Sequence, residues 1–119
     1  MKVLIADHSD VVRSRLVARL RESGLEVVGE ADSLATATSL ARELQPDAIV
    51  TDVKFADARG ADVVRAVREL APKVLLVVLS NTLHFRQLCM ASGADYFLDK
   101  STEFEEVVMT LARRSKLRM

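Results

Sequence analysis

The sequence of 119 residues predicts an α/β fold in which helices cover both faces of a five-stranded parallel sheet. Short apolar runs and amphipathic helical segments alternate along the whole chain, five of each kind. In addition, residues 47–52 and 73–80 have apolar interiors and polar ends, which is typical of strands that are buried on both faces of a parallel sheet. Helical crossovers between such strands are right-handed.

The first strand and helix are a regular pair. Residues 2–6 form an apolar strand, and residues 7–10 form the polar turn that follows it. The next apolar side chains recur at helical spacing, with charged residues between them, which predicts an amphipathic helix. Gly24 ends this helix. Its apolar stripe consists of Val12, Leu16 and Leu20.

The second strand, residues 25–31, contains two glutamates and a glycine, and this polarity indicates a position at the edge of the sheet. Ser33 is placed to cap the second helix, and Pro46 follows the end of that helix. The third strand, residues 47–52, leads into a loop at residues 53–60. The apolar stripe of the second helix comprises Ala37, Leu40, Ala41 and Leu44.

The second half of the chain continues the alternation. A third helix ends at Pro72, and residues 74–79 form a fourth strand that has no polar side chain until Ser80. A weaker fourth helix at residues 81–92 stops at Gly93. The remaining elements are a last strand at residues 94–98, a capping box at residues 102–105, and a last helix with Phe104, Val107, Val108 and Leu111 on its apolar face.

Composition excludes several classes of protein. The 17 basic residues balance the 17 acidic ones, so no net charge draws the chain to nucleic acid or to an anionic membrane. A single cysteine, Cys89, cannot form an internal disulfide, which suits a reducing cytoplasmic setting. The longest apolar run, residues 74–79, is far shorter than the roughly 20 residues that span a bilayer. We therefore expect a soluble cytoplasmic domain that binds neither nucleic acid nor membrane directly.

The polar ends of the strands predict the position of a site. Among doubly wound sheets, the flavodoxin-like order 2-1-3-4-5 has its topological switch point between the first and third strands, and ligands bind beyond the carboxyl ends there. Asp7 and Asp52 would then face each other across this crevice. Ser80 and Lys100, at the ends of the next two strands, would line its far wall.

These segments resemble a known family along essentially the whole chain, residues 1–119. The chain is similar to the CheY-like receiver domain of two-component response regulators, a single response-regulatory domain. The resemblance depends on the order and spacing of four pieces, which are Val-Leu-Ile-Ala-Asp at residues 3–7, Asp-Ala-Ile-Val-Thr-Asp at residues 47–52 with Gly60 after it, Val-Val-Leu-Ser-Asn at residues 77–81, and Gly-Ala-Asp-Tyr-Phe-Leu-Asp-Lys at residues 93–100.

The resemblance implies a phosphorylation switch and not a metabolic enzyme, with at most self-catalysed phosphorylation and dephosphorylation. It makes Asp52 the acceptor of a phosphoryl group from a histidine kinase or a phosphotransfer protein. It implies that Ser80 and Lys100 bind the phosphoryl oxygens. Phe97 would be the aromatic side chain that turns inward when Ser80 moves, and this rotation would change the surface formed by the fourth helix, the last strand and the last helix.

Magnesium is the cofactor that the resemblance implies, because a hard cation neutralises the two anions that must meet during phosphoryl transfer. Its expected ligands are Asp7, Asp52 and the backbone carbonyl of Lys54. The family usually carries a second acidic ligand beside the first, but here that position is His8, so we expect weaker magnesium binding. Either His8 or Asp10 would complete the ligand set, and the sequence leaves this choice open.

Two alternatives come from other functional classes. The chain could be an interaction module that works without phosphorylation because His8 impairs metal binding, or a metal-dependent hydrolase on the same sheet. The hydrolase ranks lower, since no general base is placed beside the aspartates. Asp52 could also be a simple turn former at the end of a strand.

The expected downstream partner is a protein target or a DNA-binding domain absent from these residues. The sequence leaves open whether the chain stands alone or belongs to a longer regulator. The basic segment at residues 113–118 suits a solvated helix end, with a homodimer contact as the alternative. Near the site, the ammonium group of Lys54 would add a second cation beside the phosphoryl group.

Overall fold

The computed structural model describes residues 1–117. Its strands are β1 (Lys2–Ala6), β2 (Glu26–Ala31), β3 (Ala48–Thr51), β4 (Leu75–Ser80) and β5 (Tyr96–Asp99). Its helices are α1 (Asp10–Glu22), α2 (Leu34–Leu44), α3 (Ala61–Leu70), α4 (Arg86–Ala91) and α5 (Phe104–Leu117), with a 3₁₀ turn at Leu83–Phe85 before α4. Within this part of the chain, no helix is both long enough and apolar enough to cross a bilayer.

All neighbouring strands are parallel, and their order is β2-β1-β3-β4-β5, which confirms the predicted topology. The more polar β2 lies at one edge, as its glutamates predicted. In the register of the sheet, Ala6 pairs with Thr51, and Thr51 pairs with Val78. The residues that follow β1 and β3 therefore emerge side by side at the carboxyl edge of the sheet.

The sheet separates two apolar clusters, one on each face. The first cluster packs alternate residues of β1, β3 and β4, such as Leu4, Ile49 and Leu76, against α2, α3 and α4. The second cluster packs the intervening strand residues, such as Ile5 and Val50, against α1 and α5. Both faces are covered, which explains why the two central strands have apolar interiors.

Serine side chains cap α1 and α2, and the cap of α2 is the one that the sequence predicted. Ser9 precedes α1 and its hydroxyl accepts a hydrogen bond from the backbone N–H of Val12 at 3.3 Å. Ser33 caps α2 in the same way, through the N–H of Thr36 at 3.1 Å. In both helices the serine satisfies a backbone donor that has no partner within the first turn.

The fourth helix differs from the prediction. The sequence predicted one helix over residues 81–92, whereas α4 is only Arg86–Ala91 and follows the tight turn Leu83–Phe85. The N–H of Phe85 donates to the carbonyl of Thr82 at 3.1 Å, which closes a shorter ring than an α-helix has. This turn brings the Phe85 ring against the first apolar cluster, so packing decides the local backbone.

The ends of β5 and the start of α5 also differ from the prediction. β5 begins two residues later than expected, since the carboxylate of Asp95 accepts a hydrogen bond from the N–H of Leu76 at 2.8 Å before the strand pairs. The capping box at residues 102–105 is wrong, because α5 begins at Phe104 and Glu105 binds Arg19 of α1 at 2.8 Å. Of the basic segment at residues 113–118, residue 118 lies outside the described part of the chain.

A core substitution tests the central position of β4. Leu76 is fully buried in the first cluster, so we expect Leu76→Ala to lower the free energy of unfolding by about 2–5 kcal/mol through lost burial and a new cavity. Urea denaturation followed by circular dichroism measures this. Leu88→Ala on α4 is the matched control, because that leucine is 59% exposed and should change stability by only about 0.5 kcal/mol. Equal losses in the two variants would contradict the assigned packing.

Candidate functional site

Asp7 and Asp52 follow the adjacent strands β1 and β3, and both are almost completely buried, at 1% and 3% exposure. The backbone of each residue continues the sheet, because Asp7 N–H donates to Ala31 and Asp52 N–H donates to Ala6, both at 2.9 Å. One oxygen of each carboxylate is held by the chain nearby. Asp7 Oδ1 accepts from the N–H of Ser9 at 2.8 Å, and Asp52 Oδ1 accepts from its neighbour at 2.7 Å.

Lys100, which follows β5, supplies the cation that these buried carboxylates need. Its Nζ lies 2.7 Å from Asp7 Oδ2 and 2.9 Å from Asp52 Oδ2. Burial opposes the charge of the ammonium group, but the hydrogen bonds and the attraction from Asp7 and Asp52 outweigh it, so the pKa of Lys100 is raised. The stabilisation is therefore complete below the ordinary lysine pKa, and it is lost only as the pH rises through the raised value.

His8 lies at the mouth of the same site. Its Nδ1 is 3.1 Å from Asp52 Oδ2 and 3.8 Å from Asp7 Oδ1, while about half of its side chain, 53%, stays exposed. The imidazole therefore reaches the carboxylate that the sequence singled out as the acceptor. The hydrogen-bond partners of the imidazole decide which of its two nitrogens carries the proton.

Asp10 does not join this group. Its carboxylate is exposed and binds the guanidinium of Arg13, one turn along α1. Arg13 also donates to the backbone carbonyl of Asp7, and it lies 3.5 Å from Glu30 on β2. Of the two candidates that the sequence left open, His8 is the one that lies beside Asp7 and Asp52.

Ser80 ends β4 between the strands that carry Asp52 and Lys100, as predicted, and it is fully buried. Its hydroxyl oxygen accepts a hydrogen bond from the N–H of Thr82 at 2.9 Å. The hydroxyl thus stabilises the turn after β4 in this structure. To meet a group bound on Asp52, the side chain would have to exchange this backbone donor for the new partner.

The ring of Phe97 lies in the inward position that the resemblance implies for the switched state. Its ring is already buried in the first apolar cluster, with neighbours such as Cys89 and Ala94, and only 2% of the residue is exposed. The guanidinium carbon of Arg86 lies 6.0 Å from the ring centroid, on the side of α4. The inward position buries apolar ring surface, and the rotation of the ring stays a prediction.

A polar cavity of about 180 Å³ opens over Asp52. Lys54 lines it, and so do two residues that sequence reasoning did not assign to the site, Asn81 and Thr82. They could have been found from the polar turn that follows Ser80 at the same sheet edge. The complete lining is His8, Asp52, Lys54, Asn81, Thr82 and Lys100.

The loop after β3 is fixed by a contact that the sequence did not indicate. Asp57 accepts hydrogen bonds from the first two N–H groups of α2, on Leu34 and Ala35, both at 3.0 Å. These two backbone hydrogen bonds, Ala35 first, lower the pKa of Asp57. Lys54 lies in the same loop, and its backbone pairs with that of Arg59. The negative charge at the positive end of the helix dipole thereby anchors the loop.

Comparison with known proteins identifies the family of this arrangement. The family described as the response regulator receiver domain matches residues 3–112, which is most of the chain. The chain belongs to the response regulator receiver domain family. It is thus a receiver domain of the two-component signalling systems, with the CheY-like fold.

Individual relatives agree with the family. The chain is 34% identical over 114 residues to the response regulator GacA of Pseudomonas aeruginosa, a match that covers 93% of this chain and 53% of GacA. It is 27% identical over 119 residues to the response regulator protein VraR of Staphylococcus aureus, with 98% of this chain and 57% of VraR covered. The receiver domain therefore spans about half the length of these curated relatives.

Solved structures support the same fold. The signal receiver domain of the response regulator NarL from Mycobacterium tuberculosis aligns with a TM-score of 0.85 and 29% identity, over 97% of this chain and 95% of that one. The response regulator domain of CheB from Thermotoga maritima aligns with a TM-score of 0.83 at 24% identity, over 98% and 94%. The latter likeness concerns the fold alone.

The receiver domain presents a donor set that suits a divalent cation. One ligand atom from each of Asp7, His8 and Asp52 lies within 4.8 Å of the other two. Two buried carboxylates at the switch point of the sheet are what a hard cation needs, and the imidazole adds a nitrogen donor where the family usually has an oxygen. The residues therefore fit a bound ion, with a ligand set that departs from an all-oxygen one.

A pH series tests the anchor of the loop after β3. Asp57→Asn removes a charge whose pKa is lowered in the folded domain, so we expect the variant to unfold more easily at pH 7. Because the folded pKa is depressed, the stabilisation is present above the unfolded pKa of about 3.9 and is lost as the pH falls through the folded value. The stability gap between parent and variant should shrink below about pH 4 in urea titrations. A gap that stayed constant down to pH 3 would contradict the role of the charge.

A second substitution tests the buried ion pairs. Lys100→Met leaves Asp7 and Asp52 buried without a cation, so we expect the free energy of unfolding at pH 7 to fall by about 3–5 kcal/mol. Adding Asp52→Asn to this variant should restore part of the loss, because one of the two facing charges is then gone. The exposed Lys73→Met is the control for removing a lysine. A double variant less stable than Lys100→Met would refute charge repulsion as the cause.

Proposed function

We propose that Asp52 of this receiver domain accepts a phosphoryl group from a histidine kinase or a phosphotransfer protein, and that the domain is a phosphorylation-controlled binding switch. The main support is the position of Asp52 Oδ2, which is buried at the floor of a polar cavity and faces the ammonium of Lys100 at 2.9 Å. A carboxylate attacks a phosphoryl group only where cations offset the repulsion between the two anions. Lys100 is such a cation.

The transfer would proceed by attack of an Asp52 oxygen on phosphorus. The bond between phosphorus and the donor nitrogen breaks, its electron pair goes to nitrogen, and an acyl phosphate forms on Asp52. Lys100 would follow the charge from the carboxylate to the new phosphoryl oxygens. Asp52 Oδ1 is held by the backbone N–H of Val53 at 2.7 Å, whereas the partners of Oδ2 are the side chains of Lys100 and His8. The attacking oxygen would be Oδ2, once these side chains have given way to the phosphoryl group.

A divalent ion would be held by Asp7, Asp52 and the backbone carbonyl of Lys54, with His8 as a further donor. When bound, it would supply positive charge at the oxygens of the transferring group. The ion site is partly preorganised, because the hydrogen bonds from α2 to Asp57 fix the loop that carries Lys54. Magnesium is the family's ion, and the imidazole of His8 makes its binding weaker.

The output of the switch would follow from Ser80. A phosphoryl group brings roughly two negative charges and several acceptor oxygens, which favour a charge-assisted bond from the Ser80 hydroxyl. The hydroxyl would then leave the N–H of Thr82, and the turn before α4 would rearrange. Since Phe97 is already buried, the surface of α4, β5 and α5 would change mainly through this turn. That surface exposes apolar side chains such as Leu88 and Met109 to a partner.

The downstream partner would be a protein target or a DNA-binding domain outside these 119 residues. The chain covers about half of GacA and of VraR, both named as response regulators. A phosphoryl group would shift the population between two surfaces, and the partner would bind one of them better.

A rival function is an interaction module that works without phosphorylation. The contact of His8 Nδ1 with Asp52 Oδ2 at 3.1 Å favours it, because the imidazole occupies an oxygen that the transfer needs. In that case partner binding would not change with phosphoryl donors, and the buried position of Phe97 would be the permanent one.

Intact-mass measurement separates these functions. The domain is incubated with magnesium and acetyl phosphate, beside Asp52→Asn and a control variant, Asp62→Asn, whose exposed carboxylate pairs with Arg65 on α3. We expect one added phosphoryl group on the parent and the control, and none on Asp52→Asn. Addition at an equal level to all three would place the acceptor elsewhere. No addition to any of them, under magnesium or manganese, would favour the rival.

A further inference from the structure

His8 gives the cation site a donor of a different chemical kind. Its imidazole is directed to the two buried carboxylates, with Nδ1 at 3.1 Å from Asp52 Oδ2 and 3.8 Å from Asp7 Oδ1. The other acid on this turn, Asp10, binds Arg13 and so does not replace it. Among the residues that the structure describes, the triad of Asp7, His8 and Asp52 is thus two oxygen donors and one nitrogen donor.

The spacing of the triad agrees with a shared ion. Donors bonded to one metal at about 2.1 Å lie about 3.0 Å apart at octahedral angles and about 3.4 Å apart at tetrahedral angles. His8 Nδ1 and Asp52 Oδ2 are 3.1 Å apart, and one donor atom from each of the three residues lies within 4.8 Å of the other two. An ion could therefore meet the imidazole and both carboxylates if the Lys100 ammonium, which lies 2.7 Å from Asp7 Oδ2 and 2.9 Å from Asp52 Oδ2, moved aside.

We propose that His8 is a nitrogen ligand that moves the preference of this site from magnesium to a borderline divalent ion of the first transition series, such as Co²⁺ or Zn²⁺. Magnesium favours oxygen donors in near-ideal octahedral geometry and keeps its waters, whereas imidazole binds Co²⁺, Ni²⁺ and Zn²⁺ strongly. The inference rests on the ion site of the proposed function, and it specifies which ions that site selects.

Apart from His8, the chain has one cysteine and one further histidine that could offer such an ion a thiolate or an imidazole. Cys89 is the single cysteine and is fully buried, and burial raises the pKa of its thiol, so it does not supply a thiolate ligand. His84 is the second of the two histidines, and it lies exposed on the 3₁₀ turn Leu83–Phe85, beside the ring of Phe85. It therefore provides a matched control for adventitious binding to an imidazole.

The experiment uses Co²⁺ and Mg²⁺ as probes of the free domain, without a phosphoryl donor. Isothermal titration calorimetry gives the dissociation constant of each ion for the parent, for His8→Asp and for His84→Gln. Visible absorption of bound Co²⁺ reports the donor set independently, because its ligand-field bands shift when a nitrogen ligand is replaced by oxygen. The ratio of the two affinities is compared between variants, since an all-oxygen site also ranks Co²⁺ above Mg²⁺ to some degree.

We expect His8→Asp to tighten Mg²⁺ and weaken Co²⁺, so that the Co²⁺-to-Mg²⁺ affinity ratio falls by at least about tenfold. The Co²⁺ bands should shift in the same variant. His84→Gln should leave both the ratio and the spectrum of the parent unchanged.

Three results would overturn the inference: an unchanged ratio and spectrum in His8→Asp, an equal change in His84→Gln, or no binding of Co²⁺ to the parent at millimolar concentration. The third result would mean that His8 only donates a hydrogen bond to Asp52. These outcomes are separate from failure of the proposed function. The proposed function fails if no phosphoryl group is added at Asp52 with magnesium or manganese present. Selective Co²⁺ binding without phosphorylation would keep the inference and reject the function.

Discussion

Two buried carboxylates beside one another are the constraint on which the site depends. Asp7 and Asp52 follow neighbouring strands, and their charges would repel strongly in a medium of low polarity. The fold meets this constraint with Lys100, which reaches both carboxylates from the end of β5, and with backbone N–H groups on the remaining oxygens. One ammonium offsets only part of the charge of two carboxylates, and the same cluster holds Asp52 at a cavity that an incoming anion can enter.

The same constraint explains why distant segments meet. The strand order places β4 between β3 and β5, so the lysine must extend past Ser80 to reach the aspartates. The buried length of the Lys100 side chain makes this contact specific. Around it, the loop after β3 is fixed on α2 by Asp57 and the turn after β4 is fixed by Ser80. The site therefore has one wall held by a helix terminus and another held by a side chain that can change partners.

His8 is where this receiver domain departs from the pattern of its family. The imidazole takes the position of a second acid, so the charge around Asp52 is less negative and includes a nitrogen donor. The ring of Phe97, on β5, lies within the first apolar cluster. His8 lies in the turn that follows β1, where a substitution alters chemistry without altering the sheet.

The sequence by itself determined the fold class and the identity of the residues at the carboxyl edge, because hydrophobic periodicity reports which backbone segments are buried. The strand order came from the likeness to flavodoxin-like sheets, and the structure confirms it. The sequence also placed Asp7, Asp52 and Lys100 together, since strand ends in a parallel sheet share one edge. Only the tertiary structure decided that His8 and not Asp10 joins them, that Asp57 caps α2, and that Phe97 faces inward. These choices depend on which partners each side chain meets across the fold, and a one-dimensional pattern does not contain those distances.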